Sequence, residues 1–273
     1  MPHQSPTTKM NQPSTTNHQY YGDYHTHTKY SHGKGSVEAN IKAAHDLGLK
    51  EIAVTDHGFR HPAYGVRRRD FARMRDEVRA AAEKCPQITV YLGLETNLQG
   101  LDGKIDINLS DLDCLDILLC GFHKMVQPPS AKEFFSFFVP NFFTPAANKT
   151  RLKNTKAYVN AIERYPIDII THLRYGMNAD VYEIALAAKA HGTVIELNGK
   201  RVSMTDAEVA RVIESGVGII VNSDGHSPSA VGNFSVPQTV IERVGIPAEQ
   251  IVNLGKRPDF RLKNWKEEIR VLG

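Results

Sequence analysis

Short apolar runs alternate with longer amphipathic stretches along the chain from Tyr20 onward. The apolar runs are rich in β-branched residues and show no polar face, as expected of parallel strands that are covered on both sides. They predict seven strands, namely Tyr20–Thr26, Glu51–Asp56, Thr89–Leu94, Leu115–Phe122, Ile167–Thr171, Thr193–Leu197 and Gly218–Asn222.

The amphipathic stretches between these runs predict helices, because they begin near capping side chains or end before glycine or proline. Ser36 opens the first and Gly48 follows it, while Pro86 and Pro166 follow two others. The predicted helices are Ser36–Leu47, Phe71–Lys84, Lys153–Arg164, Val181–Ala190 and Asp206–Glu214.

Strands that alternate with helices indicate an α/β fold with a parallel sheet, either closed into a barrel or open and doubly wound. Histidines and carboxylates follow the ends of six of the seven strands. In a barrel the carboxyl ends of all strands converge on one mouth, whereas in an open sheet they lie along an edge. The sequence therefore favours a seven-stranded (β/α) barrel, formed as one domain by residues 20–273.

Two segments depart from this alternation. Residues 1–19 are rich in Gln, Asn, Ser, Thr and Pro, which predicts a disordered polar tail. Residues 130–148 hold six of the eleven phenylalanines. Two interpretations of that segment stay open: a helix packed on the barrel with part of its apolar face in the core, or a lid or oligomer contact.

Composition narrows the class of protein. The net charge of +3 on 273 residues is too small to indicate a nucleic-acid or membrane surface. Three cysteines without a CxxC pair argue against a disulfide framework and favour a cytoplasmic location. No apolar run reaches the roughly 18 residues of a membrane span, and the N-terminus lacks a signal-peptide core. The sequence leaves the oligomeric state open.

The side chains at the strand ends include candidate metal ligands. Imidazole and carboxylate are the usual ligands of catalytic divalent metals. One ion takes about four to six ligands, so a larger set predicts a cluster of two or three ions that activates water against a phosphoester. Nine candidate ligands follow the strands: His25, His27, His32, His57, Glu95, His123, His172, Asp224 and His226.

Spacing and neighbours suggest further roles. His25 and His27 lie two apart at a strand end, so both face one side. Glu95 is the candidate bridge between two ions, and Asp56 is a candidate for orienting a ligand or moving a proton. The candidates for substrate phosphate are the basic residues Lys124, Arg174, Lys200 and Arg201. For Lys200 and Arg201 a solvated surface loop is an equal alternative. His45, His61 and His191 lie outside the strand-end pattern and are not counted as ligands.

Together these motifs resemble the PHP family, named for polymerase and histidinol phosphatase, and within it the stand-alone bacterial phosphoesterases. The resemblance extends from about Tyr20 to beyond His226. It rests on Asp-Tyr-His25-Thr-His27, Thr-Asp-His57-Gly, Gly-Leu-Glu95-Thr-Asn, Gly-Phe-His123, Thr-His172 and Ser-Asp224-Gly-His226.

The resemblance implies a distorted seven-stranded barrel with a site for two to three Zn, Mn or Fe ions. It implies three ligand sets: His25, His27, Glu95 and Asp224; Glu95, His123 and His172; and His32, His57 and His226. Related phosphoesterases commonly have His-Pro where this chain has His172-Leu173, and the Phe-rich segment is longer than usual. Both departures lie where substrate would enter.

The expected activity is hydrolysis of a small phosphate monoester by a hydroxide that bridges two ions. One alternative is a nuclease or nucleotide phosphodiesterase, although the modest net charge and the lack of stacking aromatics at the motifs count against long nucleic acid. Another alternative is a non-catalytic metal-binding module, which would usually have lost ligands, and none is missing here.

Overall fold

Seven parallel strands form one sheet in chain order in the computed structural model, which describes residues 20–272. The predicted tail, residues 1–19, lies outside the described residues. The seven predicted strands are confirmed, each pairing with its sequence neighbour. They are β1 (Gly22–Asp23), β2 (Glu51–Val54), β3 (Thr89–Asn97), β4 (Ile117–Gly121), β5 (Ile169–Ile170), β6 (Val194–Asn198) and β7 (Ile219–Asn222).

Helices follow the strands and cover the outside of the sheet. All five predicted helices are present, and Ser36 and Thr205 cap two of them through their hydroxyls. The sequence missed two helices near the C-terminus. The α-helices of the described residues are α1 (Val37–Asp46), α2 (Arg68–Lys84), α3 (Ala131–Glu133), α4 (Val139–Phe143), α5 (Asn148–Arg164), α6 (Val181–His191), α7 (Asp206–Ser215), α8 (Ser235–Val244) and α9 (Arg261–Leu272).

The first and last strands nearly close the sheet into a barrel. Thr26 and Gly225 form a parallel bridge just beyond β1 and β7. At the other end, the Asn253 amide donates to the carbonyls of Val221, at 2.7 Å, and Gly22, at 3.2 Å. A side-chain amide thus takes the place of ladder hydrogen bonds between the two strands, so the predicted barrel is confirmed with a short side-chain seam.

Apolar side chains fill the inside of the barrel. A compact cluster, separate from the larger core under the helices, joins residues of β2, β4, β5 and β7 with Tyr24 and Phe260. In a closed barrel alternate strand residues point inward and form a packed core. Functional groups are therefore left to the strand ends and the loops that follow them.

The Phe-rich segment forms one helical stretch, in which the π-helical turn Phe134–Phe138 joins α3 to α4. Phe137 and Phe138 are buried and lie 5.6 Å and 6.0 Å, between ring centroids, from Phe122. Phe135 and Phe143 are instead 68% and 80% exposed. The packed-helix interpretation therefore holds for one face, and a lid or oligomer role for the other face stays a prediction.

Two smaller expectations concern cysteines and membranes. Cys85, Cys114 and Cys120 are free thiols, and Cys120 is buried within β4. Within residues 20–272, no helix combines the length and the apolarity needed to cross a membrane.

Candidate metal centre

Four ligand candidates surround one point at the mouth of the barrel. The Nε2 atoms of His25 and His27 are 3.0 Å apart. They lie 3.4 and 3.5 Å from Glu95 Oε2 and 3.7 and 3.2 Å from Asp224 Oδ1. Ligands about 2.1 Å from a tetrahedral zinc ion are about 3.4 Å from each other. The four atoms therefore have the spacing of a first coordination shell.

The other oxygen of Glu95 faces a second group of histidines. Its Oε1 lies 2.6 Å from Nε2 of His172 and 3.9 Å from Nε2 of His123. Thr171 also donates its hydroxyl to this oxygen at 3.0 Å. One buried carboxylate thus stands between two groups of imidazoles, which is the position expected of a bridging ligand.

The third group of imidazoles borders the first. The ring centroid of His32 lies 4.2 Å from that of His226 and 5.0 Å from that of His57. Ligand atoms of His27, His57 and His226 fall within 4.8 Å of one another. His57 Nδ1 is also 2.9 Å from Glu95 Oε2. The structure therefore brings all nine candidate ligands into one cluster, with His57 closer to Glu95 than the family ligand sets suggest.

Hydrogen bonds at Nδ1 fix the direction of three of these imidazoles. His25 Nδ1 lies 2.8 Å from Glu196, His123 Nδ1 lies 2.6 Å from the Asn97 carbonyl oxygen, and His226 Nδ1 lies 2.9 Å from the Asp224 main-chain oxygen. Each acceptor holds the ring proton on Nδ1, so the lone pair of Nε2 is left for a metal.

Sequence reasoning gave Glu196 no role. The residue is 1% exposed at the end of β6, and its oxygens accept from His25, from the main-chain N–H of His172 at 2.9 Å, and from the amides of Asn198 and Asn222 at 2.9 and 3.0 Å. The sequence signal that could have identified Glu196 is its spacing of two residues from Asn198, which places both side chains on one face of the strand. Three of these donors, on His25, His172 and Asn222, come from other parts of the chain, and the sequence does not reveal that they meet at Glu196.

Asp106 is a second buried carboxylate that sequence reasoning missed. It accepts from the main-chain N–H of Asn97 at 2.8 Å and from the Asn97 amide at 3.0 Å. That amide in turn holds His123. Asp106 therefore orients a ligand histidine through one intermediate.

Backbone strain accumulates at the same end of the barrel. In the part of the chain that the structure describes, three non-glycine residues have positive φ: His172 (29°), Arg174 (76°) and Asp224 (52°). Such conformations cost about 1–3 kcal/mol each and concentrate at functional sites. Beside them, a Cβ at Gly121 would lie 2.3 Å from Thr171 Oγ1 and 2.8 Å from the His172 ring. Glycine at this position therefore leaves room for the imidazole ring of His172.

Several ligand atoms are buried without a hydrogen-bond partner among the described residues. They include Oδ1 of Asp224 and Nδ1 of His57, whose close contacts with Lys200 and Glu95 lack hydrogen-bond geometry. Leaving a buried polar atom unpaired costs about 1–3 kcal/mol, so natural structures rarely do so without a reason. A divalent ion would satisfy both atoms, and a set of imidazoles with two carboxylates suits Zn, Mn or Fe. The residues present thus fit a metal centre.

Much of the cluster has the protonation state that metal binding needs, but His25 and His172 do not. Burial opposes their protonation, but Glu196 and Glu95 outweigh burial and raise the pKa of these two imidazoles. Burial opposes ionisation of Glu95, but neighbouring histidines, His25 first, hold its pKa well below the usual range. Burial lowers the pKa of His27 and His123, and burial with His226 lowers the pKa of His32 to about 3. Neutral imidazoles and ionised carboxylates are the ligand forms.

A cavity of about 650 Å³ opens above the cluster. Lys124, Lys200 and Arg201 line it, as the sequence suggested, and Lys200 Nζ is 3.3 Å from Asp224 Oδ1. Arg174 does not line it, because its guanidinium pairs with Glu208 of α7 at 2.7 Å. Sequence spacing places Arg174 at the right strand end but does not fix the direction of its side chain.

Asp56 lies behind the ligands. Its carboxylate accepts from the main-chain N–H and hydroxyl of Thr28, at 2.7 and 2.6 Å, and from those of Ser31, at 3.1 and 2.5 Å. The Ser31 hydroxyl is 3.4 Å from His27 Nδ1. These contacts favour the orienting role over proton transfer.

His61 lines the cavity although sequence reasoning set it aside. The main-chain N–H of Tyr64 donates to its Nδ1 at 3.0 Å, and the ring centroid is 5.8 Å from that of His57. With Nδ1 accepting, the ring proton of neutral His61 is on Nε2. No strand-end signal marks this residue, because the loop after β2 folds back on itself to bring it in.

A barrel with a buried histidine and carboxylate cluster at the carboxyl ends of its strands has the architecture of a metal-dependent enzyme. The sequence matches the PHP domain family over residues 23–216, and the chain belongs to this family. It is 31% identical over 246 residues to the "Probable phosphatase" of Shewanella frigidimarina, covering 85% of this chain and 88% of that protein.

Other comparisons agree. The "Probable phosphatase" of Tolumonas auensis is 28% identical over 268 residues, covering 92% of this chain and 97% of that protein. Histidinol phosphate phosphatase from Lactococcus lactis, solved with zinc, L-histidinol and phosphate, shares the fold with a TM-score of 0.54. The match covers 84% of this chain and 95% of that one at 14% identity. The protein is a metal-dependent phosphoesterase of the PHP family.

Proposed function

We propose that this enzyme hydrolyses a small phosphate monoester at a site that holds two or three divalent ions. The observation that carries the proposal is the position of Glu95. One of its oxygens faces His25 and His27, and the other faces His123 and His172. A single carboxylate with a separate imidazole group at each oxygen suits adjacent ions about 3.5–4 Å apart.

When bound, such ions lower the pKa of a coordinated water and polarise phosphoryl oxygens, which supplies a nucleophile at neutral pH. Residues of the chain itself position the ligands and bind the phosphate. Glu196 and Asn97 hold the ligand rings in position. Lys200, next to Asp224 at the cavity wall, donates to oxygens of the phosphate that is transferred.

The size of the cavity supports a small substrate. A volume of about 650 Å³ is typical of sites for small molecules, which span roughly 300–1,000 Å³. The solved Lactococcus lactis relative binds L-histidinol and phosphate, which is consistent with a small phosphorylated substrate here. Long nucleic acid would need a larger basic surface than a net charge of +3 provides.

The test combines metal analysis with a panel of esters. Purified protein is expected to carry two to three equivalents of Zn, Mn or Fe and to cleave p-nitrophenyl phosphate faster than bis(p-nitrophenyl) phosphate or a short oligonucleotide. Glu95→Gln is expected to lose metal and at least a hundredfold in kcat/KM while keeping its circular dichroism spectrum. The matched surface variant Glu83→Gln is expected to behave as wild type.

Two outcomes count against the proposal. Metal-loaded protein that cleaves no ester would exclude a catalytic site, and faster turnover of the diester or oligonucleotide would assign the enzyme to the phosphodiesterases. Full activity of Glu95→Gln would exclude the bridging role.

A further inference from the structure

The cavity holds more positive charge than one phosphate needs. Lys124, Lys200 and Arg201 line it, and Asp224 is the one carboxylate residue among its lining residues in the described chain. Asp224 belongs to the candidate metal centre. Ions bound there would already compensate the charge of the transferred phosphate, so basic groups beyond the centre are left for another part of the substrate.

The three basic residues are not equivalent. Lys200 Nζ is held 3.3 Å from Asp224 Oδ1 and 3.2 Å from His226 Nε2, so it belongs to the inner end of the cavity. Within residues 20–272, neither Lys124 nor Arg201 forms an ion pair. Lys124 Nζ instead lies 5.7 Å from the centre of the Phe142 ring, and the Arg201 side chain is exposed. These two cations are available to a ligand.

Apolar groups complete the outer part of the cavity. Met125 is 65% exposed, and Tyr64 and Tyr175 are each 45% exposed, although all three line the cavity. Exposed apolar side chains beside polar groups are typical of a site for an organic ligand. The outer cavity therefore offers contact area for a carbon skeleton together with two unpaired cations.

We propose that the alcohol part of the substrate carries a second anionic group, a carboxylate or a further phosphate, which Lys124 and Arg201 bind. This inference rests on the proposed monoesterase function and adds a substrate class to it. Charge-assisted hydrogen bonds from Lys and Arg are stronger than neutral ones and favour such a group over a neutral one. Placing an ammonium group against these cations is unfavourable, so the site discriminates against amino-alcohol phosphates.

A matched series of aromatic esters tests the charge preference. Wild type is expected to show kcat/KM for 4-carboxyphenyl phosphate at least tenfold above phenyl phosphate, and phenyl phosphate above 4-(aminomethyl)phenyl phosphate. In the double variant Lys124→Met, Arg201→Met the ratio between the first two substrates is expected to fall to within about twofold of one. Raising the salt concentration is expected to reduce the wild-type ratio, because the site is open to solvent.

A binding measurement provides a readout apart from turnover. Isothermal titration calorimetry with 4-carboxyphenylphosphonate and phenylphosphonate, on metal-loaded and metal-free protein, is expected to give tighter binding of the carboxylated ligand in both states. The matched charge control is Arg79→Met, Lys156→Met, which removes two exposed cations outside the cavity and is expected to retain the wild-type ratio.

The outcomes separate this inference from the function on which it rests. If wild type cleaves none of the three esters, the monoesterase function fails. If it cleaves all three equally well, or if the double variant loses activity on both substrates without a change in their ratio, the second anionic subsite is excluded. A preference for the ammonium ester would also overturn it.

Discussion

Replacing Glu196 by Gln tests how one buried carboxylate organises two parts of the metal centre. Oε1 accepts from His25 Nδ1 at 2.8 Å and from the Asn222 amide at 3.0 Å. Oε2 accepts from the main-chain N–H of His172 and from the Asn198 amide, both at 2.9 Å. All four partners donate, so the NH₂ group of a glutamine meets donors in either orientation.

The two asparagines have little freedom to turn and accept instead. The Asn222 carbonyl oxygen already accepts from the main-chain N–H of Tyr24 at 2.9 Å. That of Asn198 accepts from the main-chain N–H groups of Lys200, at 3.0 Å, and Arg201, at 3.4 Å. Turning either amide would break these bonds and leave new groups unpaired.

The orientation of lower cost places the NH₂ group against His25. That ring can then accept at Nδ1 by moving its proton to Nε2, and one buried donor, on Asn222, is left unpaired at about 1–3 kcal/mol. In the opposite orientation two donors would be unpaired: the main-chain N–H of His172 and the one amide N–H of Asn198 that does not donate to Asp224. We therefore expect Glu196→Gln to lower the free energy of unfolding by about 1–3 kcal/mol. Because Nε2 now carries a proton, metal affinity is expected to fall by about 10–100-fold.

Urea unfolding of metal-free protein measures the first quantity, and competition with a chromophoric chelator measures the second. Glu83→Gln makes the same chemical change at an exposed position and is expected to alter neither. Wild-type metal affinity in Glu196→Gln would refute the argument that this carboxylate sets the proton position of His25. Loss of folding without any loss of affinity per folded molecule would also refute it.

Three further predictions concern the same mouth of the barrel. Gly121→Ala places a methyl group against Thr171 and His172. We therefore expect the free energy of unfolding to fall by about 1–3 kcal/mol and kcat in a phosphatase assay to decrease. An unchanged kcat would contradict the close fit. His61→Phe removes an N–H donor from the cavity and is expected to reduce kcat/KM by about 10–100-fold without changing the metal content. His61→Gln restores a donor and is expected to recover part of this activity. Loss of metal in His61→Phe would instead identify His61 as a ligand. Removal of metal by a chelator is expected to abolish activity and to lower the midpoint of thermal unfolding, because an ion that binds only the folded state stabilises it. Adding metal back is expected to restore both. An unchanged midpoint would show that no structural metal is bound.

The apolar and polar pattern determined the order and type of the main elements. Runs such as Ile117–Phe122 are buried on both sides because each strand lies between the barrel interior and a helix layer, so the local sequence is sufficient to predict them. Strand lengths were less predictable. β1 and β5 contain only two ladder residues each. At β1 the Asn253 side chain replaces ladder bonds across the seam between β1 and β7. The helices α8 and α9 were missed.

The sequence alone also located the nine candidate ligands, because parallel strands bring their carboxyl ends together whatever the details of packing. Tertiary structure decided how those groups are held and what surrounds them. Glu196 reaches His25 across 171 positions of the chain, and Arg174 turns away from the cavity to a carboxylate on α7. His61 enters the cavity through a folded loop. Orientation depends on hydrogen-bond partners that are distant in sequence, so only the folded chain determines it.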